Sequence, residues 1–211
     1  MDTINFGHAP VELVVATHNT GKIIELKEIL ADLPLCLRDL SEWPEIIEVE
    51  ESGMTFEENA VIKARGYALQ TGLATLVDDS GLEVAALNGA PGVFSARYAG
   101  PQATDAERIA RLLAELDETR DALRRARFVC VIALAQPRLQ RIDCFEGTCE
   151  GHIAREPRGR GGFGYDPVFV PAGYSETFGE LPGEVKQRIS HRARALQKAQ
   201  SFLREMCERP A

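Results

Sequence analysis

The sequence predicts an α/β protein, and three observations carry that prediction. Strand-like apolar runs alternate with runs at helical spacing along the first half of the chain. Two helices announce their starts with capping boxes, Thr55-Phe56-Glu57-Glu58 and Thr104-Asp105-Ala106-Glu107, in which a hydroxyl and a carboxylate satisfy each other's backbone donors. From Arg127 onward, strand follows strand with glycines between them, which reads as a meander.

The elements follow in order. Glu12 to Ala16 is a first strand, and Ile23, Leu26, Leu30 and Leu33 mark the buried face of the helix after it. Between them, Thr17-His18-Asn19-Thr20-Gly21-Lys22 is a polar turn at a helix N-terminus, where free N–H groups and the positive end of the dipole favour an anion. The spacing is not that of a Walker loop. A lysine in a helix's first turn opposes the dipole, so Lys22 is expected to meet an anion; the alternative is a plain capped helix. Leu33 to Glu48 reads as a short strand or an extended connection. The helix opened by Thr55 runs to about Thr71, with Gly72 past its end and a small-residue stripe at Ala60, Ala64 and Ala68. Asn59 and Lys63 share another face of it, aimed either at a ligand or at solvent.

Leu73 to Val77 reads as a buried strand ending in Asp78-Asp79, with a turn at Ser80-Gly81. Two adjacent carboxylates at such a place are held by a hard divalent cation, or one of them serves as a general base; the competing reading is a turn in which Asp78 caps backbone N–H groups. The helix opened by Thr104 buries Ile109, Leu112, Leu113 and Leu116, and Asp117 to Arg125 reads as a solvated helix end or linker. Arg127 to Ala135 is a buried strand, and Arg141 to Gly151 and Gly151 to Arg155 are further strands, bent at Gly147 and Gly151. Gly159 to Pro167 combines glycines with Phe163 and Tyr165, which suits a flat ring stacked on an aromatic or simply a mobile loop. Val168 to Val170 returns to strand. Ser190 caps a last helix, placing His191 and Arg192 in its first turn.

Composition narrows the function. A chain of 211 residues suffices for one sizeable domain or two small lobes sharing a cleft, and 45% hydrophobic with 27% charged residues is ordinary for a globular enzyme. No apolar run approaches the ~20 residues of a membrane span. Met1 to Pro10 lacks the pattern of a secretory signal, so a cytoplasmic location is expected. Five cysteines without a C-x-x-C pair argue against a disulfide framework and a structural zinc site. The net charge of −8 disfavours a nucleic-acid polymer as partner. Arg155, Arg158 and Arg160 form a local basic cluster that fits a small anion or a solvated loop equally well.

Six segments together resemble the inosine/xanthosine triphosphate pyrophosphatases: Ala16 to Lys22, Glu50 to Lys63, Asp78 to Gly81, Gly89-Ala90-Pro91-Gly92 with Ser95-Ala96-Arg97-Tyr98, Gly161 to Pro167, and Ser190-His191-Arg192. The resemblance runs from Val14 to about Leu203. It implies one domain over residues 1–211, an elongated α/β structure whose central mixed sheet is flanked by helices, and two lobes with a deep nucleotide cleft between them. A homodimer is implied as well. The implied reaction is Mg²⁺-dependent hydrolysis of ITP, dITP or XTP to the monophosphate and pyrophosphate.

On this resemblance Asp79 is the general base and Asp78 its electrostatic neighbour, while Glu50, Glu51 and Asp79 supply oxygens to Mg²⁺. Thr17, His18, Asn19, Thr20, Gly21, Lys22 and Lys63 face the phosphates, with Ser80 beside the two aspartates. Phe163, Gly164, Tyr165 and Asp166 approach the base, and Lys186, His191 and Arg192 donate to its O6. Two rival readings remain open. One is a Maf-like pyrophosphatase acting on pyrimidine or modified nucleotides, and the other is a catalytically silent nucleotide binder.

Overall fold

The computed structural model describes residues 10–117, 120 and 123–208. β1 (Val11–Val15), β2 (Leu35–Asp39), β3 (Ala74–Val84), β4 (Arg125–Gln136), β5 (Arg141–Ile153) and β6 (Phe169–Pro171) form one six-stranded sheet in the order β2-β1-β3-β4-β5-β6. β1 pairs in parallel with β2 and β3; the remaining pairings, β3 with β4, β4 with β5 and β5 with β6, are antiparallel. The expected mixed α/β sheet is therefore present. The helices are α1 (Thr20–Ile29), α2 (Phe56–Thr71), α3 (Asp105–Glu115), α4 (Gly183–Ile189) and α5 (His191–Glu208).

Local chemistry sets the helix ends. Thr55 Oγ1 accepts from the Glu58 N–H while Glu58 reaches back to the Thr55 N–H, and Thr104 with Glu107 does the same for α3. Gly72 closes α2 in the left-handed region at φ 71°. Ser190 Oγ accepts from the Ala193 N–H at the start of α5. Each of these sequence expectations holds.

Along each strand alternate side chains take opposite faces, and the described core divides accordingly. Leu76 of β3 with Cys130, Ile132 and Leu134 of β4 packs under α1 and α5. Val77 with Val129, Val131 and Ala133 packs under α2. A third cluster, around Leu82, Phe128, Phe169 and the buried side of α3, fills the opposite end of the sheet. The cleft described below lies where these regions meet.

Several expectations change. β3 does not end at Asp78-Asp79: it continues to Val84, with Asp78 opposite Ile132 and Asp79 opposite Val131 in β4. Gly81 is not a turn but a close approach, because a Cβ there would lie 2.5 Å from Ser95 Oγ and 2.6 Å from the Gly92 carbonyl oxygen. Likewise β5 is one unbroken strand. Gly147 lets the backbone of α5 at His191 and Ala195 lie against the sheet, and Gly151 makes room for Phe169 and Val170. Of the two readings of the connection after Leu33, the short strand holds: it contains the parallel edge strand β2. Finally, Asp117 to Arg125 is described only in part, and Arg124 within it is buried rather than solvated. Its guanidinium donates to the carbonyls of Leu116, Ile153 and Ala154 at 2.6–2.9 Å, which repays its desolvation. The reading of residues 1–9 lies outside the described residues.

Candidate active site

The site forms because β1 stops short. β1 pairs with β3 only as far as Val15 and Leu76, and the Ala16 N–H closes the ladder on the Leu76 carbonyl at 2.8 Å. Further along the same edge of β3, the Leu82 N–H is taken by Ser95 Oγ at 2.9 Å and the Val84 N–H by the Ala90 carbonyl at 3.1 Å. Between these closures the edge at Asp78–Ser80 is open, just past the carboxyl end of β1 and beside the N-terminus of α1. This is the place where α/β sheets bind ligands. A cleft of about 770 Å³ lies there, lined by residues 16–19, Lys22, 48–51, Lys63, 78–81, Val93, 95–97, 163–166, Lys186, His191 and Arg192, among others. Its volume suits a nucleotide.

Because neighbours in a strand point oppositely, Asp78 and Asp79 open onto different faces. Asp78 is 2% exposed and turned toward α1 and α5. Its Oδ1 takes Lys22 Nζ at 2.7 Å and the Ser80 hydroxyl at 2.8 Å; its Oδ2 takes Arg192 Nε at 2.6 Å and the Cys130 thiol at 3.2 Å. Burial alone would raise this carboxyl, but the charges of Arg192 and Lys22 outweigh it and hold Asp78 well below the usual carboxylate range. The anion that Lys22 meets in the protein is thus Asp78, whose backbone carbonyl also accepts from Lys22 Nζ at 3.1 Å.

Asp79 faces α2. Its Oδ1 takes Lys63 Nζ at 2.5 Å, and nothing among the described residues donates to its Oδ2. Burial pushes its pKa above the ordinary value, outweighing the attraction of Lys63 and Lys22. Lys63 Nζ also lies 2.7 Å from Glu51 Oε1, and Arg97 holds Glu51 Oε2 at 2.8 Å. Burial would lower the Lys63 ammonium, but Asp79 and Glu51 more than compensate and raise it. Glu50 lines the cleft, exposed and without an ion pair to Lys63.

On the α5 face, Phe163 lies with its ring centroid 4.5 Å from Lys186 Nζ and 5.7 Å from the Arg192 guanidinium carbon, against Gly21, where a Cβ would lie 2.5 Å from the ring. The buried Asp166 carboxylate holds this loop, accepting from the Phe163 N–H at 2.8 Å and from Lys186 Nζ at 2.5 Å. Burial raises Asp166 despite Lys186. Gly164 donates to Asp105 of α3 at 2.7 Å. Tyr165 is buried, its hydroxyl donating to the Ser95 carbonyl at 3.0 Å, so of the two aromatics it is the one that packs the loop. His191 stacks on Phe128 at 4.7 Å, its Nδ1 buried and without a partner among the described residues; burial, then Arg192, push its pKa well below the ordinary value, which favours the neutral ring.

Arg192 is almost wholly committed within the protein. Besides Asp78 it pairs through Nη1 with Glu25 and through Nη2 with Ser80 Oγ at 3.1 Å, and it is 1% exposed. One Nη1 hydrogen has no acceptor among the described residues. Ser80 Oγ is likewise turned inward. At the start of α1, Asn19 Oδ1 caps the Lys22 N–H at 3.0 Å and Thr17 Oγ1 accepts from the Asn19 N–H at 3.1 Å; His18 and Thr20 are exposed, and Thr20 and Gly21 do not line the cleft. Nor do Arg155, Arg158 and Arg160: Arg155 binds the Asp117 carbonyl and Arg158 the Ser175 carbonyl.

Sequence reasoning missed Glu25, which joins Lys186 Nζ at 2.7 Å to Arg192. Its place at i+3 from Lys22, on the same helix face, was the available signal. It also missed the carboxylate-holding role of Arg97 and the loop-holding role of Asp105.

A mixed α/β sheet whose open edge carries two aspartates, met by lysines of α1 and α2 beside a cleft with an aromatic wall, is an α/β protein with a charged, nucleotide-sized cleft. The chain belongs to the Ham1 family, whose model matches residues 13–202. It is 48% identical over 196 residues to a dITP/XTP pyrophosphatase of Coxiella burnetii, covering 92% of this chain and 98% of that protein. Another dITP/XTP pyrophosphatase, from Geobacter sulfurreducens, is 51% identical over 87% of this chain and 92% of its own. Among solved structures, a HAM1 protein from Coxiella burnetii superimposes with a TM-score of 0.84 at 48% identity, over 92% of this chain and 99% of that one. The Staphylococcus aureus Ham1 protein does so with a TM-score of 0.82 at 43% identity, over 92% and 99%.

Proposed function

We propose that this protein hydrolyses non-canonical purine nucleoside triphosphates (ITP, dITP and XTP) to the monophosphate and pyrophosphate. The observation that carries the reading is Asp79: a buried carboxylate with one oxygen bound by Lys63 and the other open to a nucleotide-sized cleft. With its pKa raised by burial, it can take the proton of the water attacking the α-phosphorus as the bond to pyrophosphate breaks. Lys22, Lys63 and the N-terminus of α1 supply positive charge to the phosphates. The high identity to proteins named dITP/XTP pyrophosphatase supports the same reaction.

Mg²⁺ fits the donors. Glu51 and Asp79 converge on one cationic position, now filled by Lys63 Nζ, and the described residues include no group of three or more His, Cys, Asp or Glu able to cage an ion alone. Mg²⁺ commonly binds through one or two carboxylates, with substrate phosphates and water completing its shell. Glu51 and Asp79 would hold it, and Glu50 lines the same cleft. When bound, it would neutralise charge on the phosphates and acidify water.

On the other face, Phe163 would stack on the purine. Lys186, neutral His191 and the remaining Nη1 hydrogen of Arg192 would donate to O6 of hypoxanthine or xanthine. Adenine offers an amino donor there, leaving donors face to face, and a site built on such hydrogen bonds can discriminate by roughly 10⁴-fold. A single-domain homodimer in the cytoplasm completes the reading; the net charge is −8, and none of the described helices is long and apolar enough to cross a membrane. Pyrophosphate release across ITP, dITP, XTP, GTP, ATP, dUTP and dTTP, with and without Mg²⁺, tests the reading. Preference for dUTP or dTTP would favour a Maf-like enzyme; ITP binding without pyrophosphate release would favour a silent binder.

A further inference from the structure

We propose that Lys63 is a stand-in for the divalent cation: in the metal-free protein its ammonium occupies the position between Glu51 and Asp79 and must leave it when the cation binds. The inference rests on the reading of the cleft as a cation-assisted triphosphate site. Two carboxylates from different elements, one preceding α2 and one in β3, meet at a single nitrogen, at 2.7 Å and 2.5 Å. Arg97 holds the outer oxygen of Glu51, so the pair is kept in place from behind.

The ammonium has three hydrogens and uses two of them; the third has no partner among the described residues, and the side chain lines the cleft. Lysine is a point charge on a flexible stem, so the same group can turn from carboxylate to phosphate. A dication and an ammonium cannot share the same two oxygens, because they repel at that range. Two carboxylates that already have a counter-ion form a poor cation site on their own. A triphosphate removes both obstacles, offering Lys63 another anion and the cation further oxygens, so each ligand favours the other.

The test uses Mn²⁺ alone as the probe, with no nucleotide. Wild-type protein is expected to bind Mn²⁺ weakly by electron paramagnetic resonance titration, Lys63→Met at least about tenfold more tightly, and Lys63→Arg as weakly as wild type. Lys63→Met binding no tighter than wild type would overturn the proposal. A second measurement needs no variant: saturating Mn²⁺ should increase acylation of Lys63 by an amine-reactive reagent, read by peptide mass spectrometry, as the ammonium is displaced. Unchanged acylation would overturn it too. Neither readout depends on turnover. A failed nucleotide panel with displaced Lys63 would refute the substrate reading alone, and an active enzyme whose Lys63 stays in place would refute this inference alone.

Discussion

Arg192 Nε lies 2.6 Å from Asp78 Oδ2, and both side chains are shielded from water. The two are 114 positions apart, on α5 and β3, and their pairing pins the last helix to the centre of the sheet. Removing one partner of a buried pair strands the other charge and typically costs about 3–5 kcal/mol. Arg192→Ala should therefore lower stability by that order in urea unfolding. A variant of unchanged stability that loses discrimination between ITP and ATP would show that recognition, not anchoring, is the residue's main role.

The two aspartates should answer substitution with opposite signs. Asp78 has its folded pKa depressed, so it contributes stability above its unfolded value of about 3.9, and that contribution is lost as pH falls through the lower folded value. Asp79 has its folded pKa raised, so its ionised form opposes folding at neutral pH. Asp78→Asn should destabilise at pH 7 and lose its deficit in strong acid. Asp79→Asn should be as stable as wild type or more so, yet slower by about 10²–10⁴-fold. Melting curves from pH 2 to 7 with pyrophosphate assays check both; near-wild-type turnover by folded Asp79→Asn would remove it as the base.

Phe163 and Tyr165 sit two positions apart but should separate cleanly. Tyr165→Phe removes the hydrogen bond to the Ser95 carbonyl, costing about 1 kcal/mol of stability with base selectivity kept. Phe163→Ala should leave stability nearly unchanged and raise KM for ITP, since its ring lines the cleft. Equal KM changes in the two variants would contradict this division.

Gly147→Ala tests the seat of α5. A Cβ there would run into α5 backbone at His191 and Ala195, which cannot move aside as a side-chain tip could. Overpacking of this kind costs about 1–3 kcal/mol. Because the displaced turn carries His191 and Arg192, KM for ITP should rise together with the loss in denaturation midpoint. A fully stable Gly147→Ala protein would show that α5 is not held this closely.

The sequence by itself determined what local interactions decide. The two capping boxes, the glycine after α2, the Ser190 cap and the buried faces of α1 and α3 each depend on residues within a turn or two of one another, so spacing alone revealed them. Most of the candidate site residues were legible because they fall in compact motifs. Tertiary structure alone decided which charges those residues meet. That Lys22 answers Asp78, that Glu25 joins Lys186 to Arg192, and that Asp79 rather than Asp78 keeps an open oxygen are facts about side chains brought together from distant strands and helices. The same holds for Gly81, Gly147 and Gly151: a glycine reads as a turn in sequence, and only the neighbour packed against it shows that the strand runs on. Alternation along β3, invisible until its register with β4 is known, placed two adjacent carboxylates on opposite faces of one sheet. One became an anchor for the fold, and the other kept an oxygen open to the cleft.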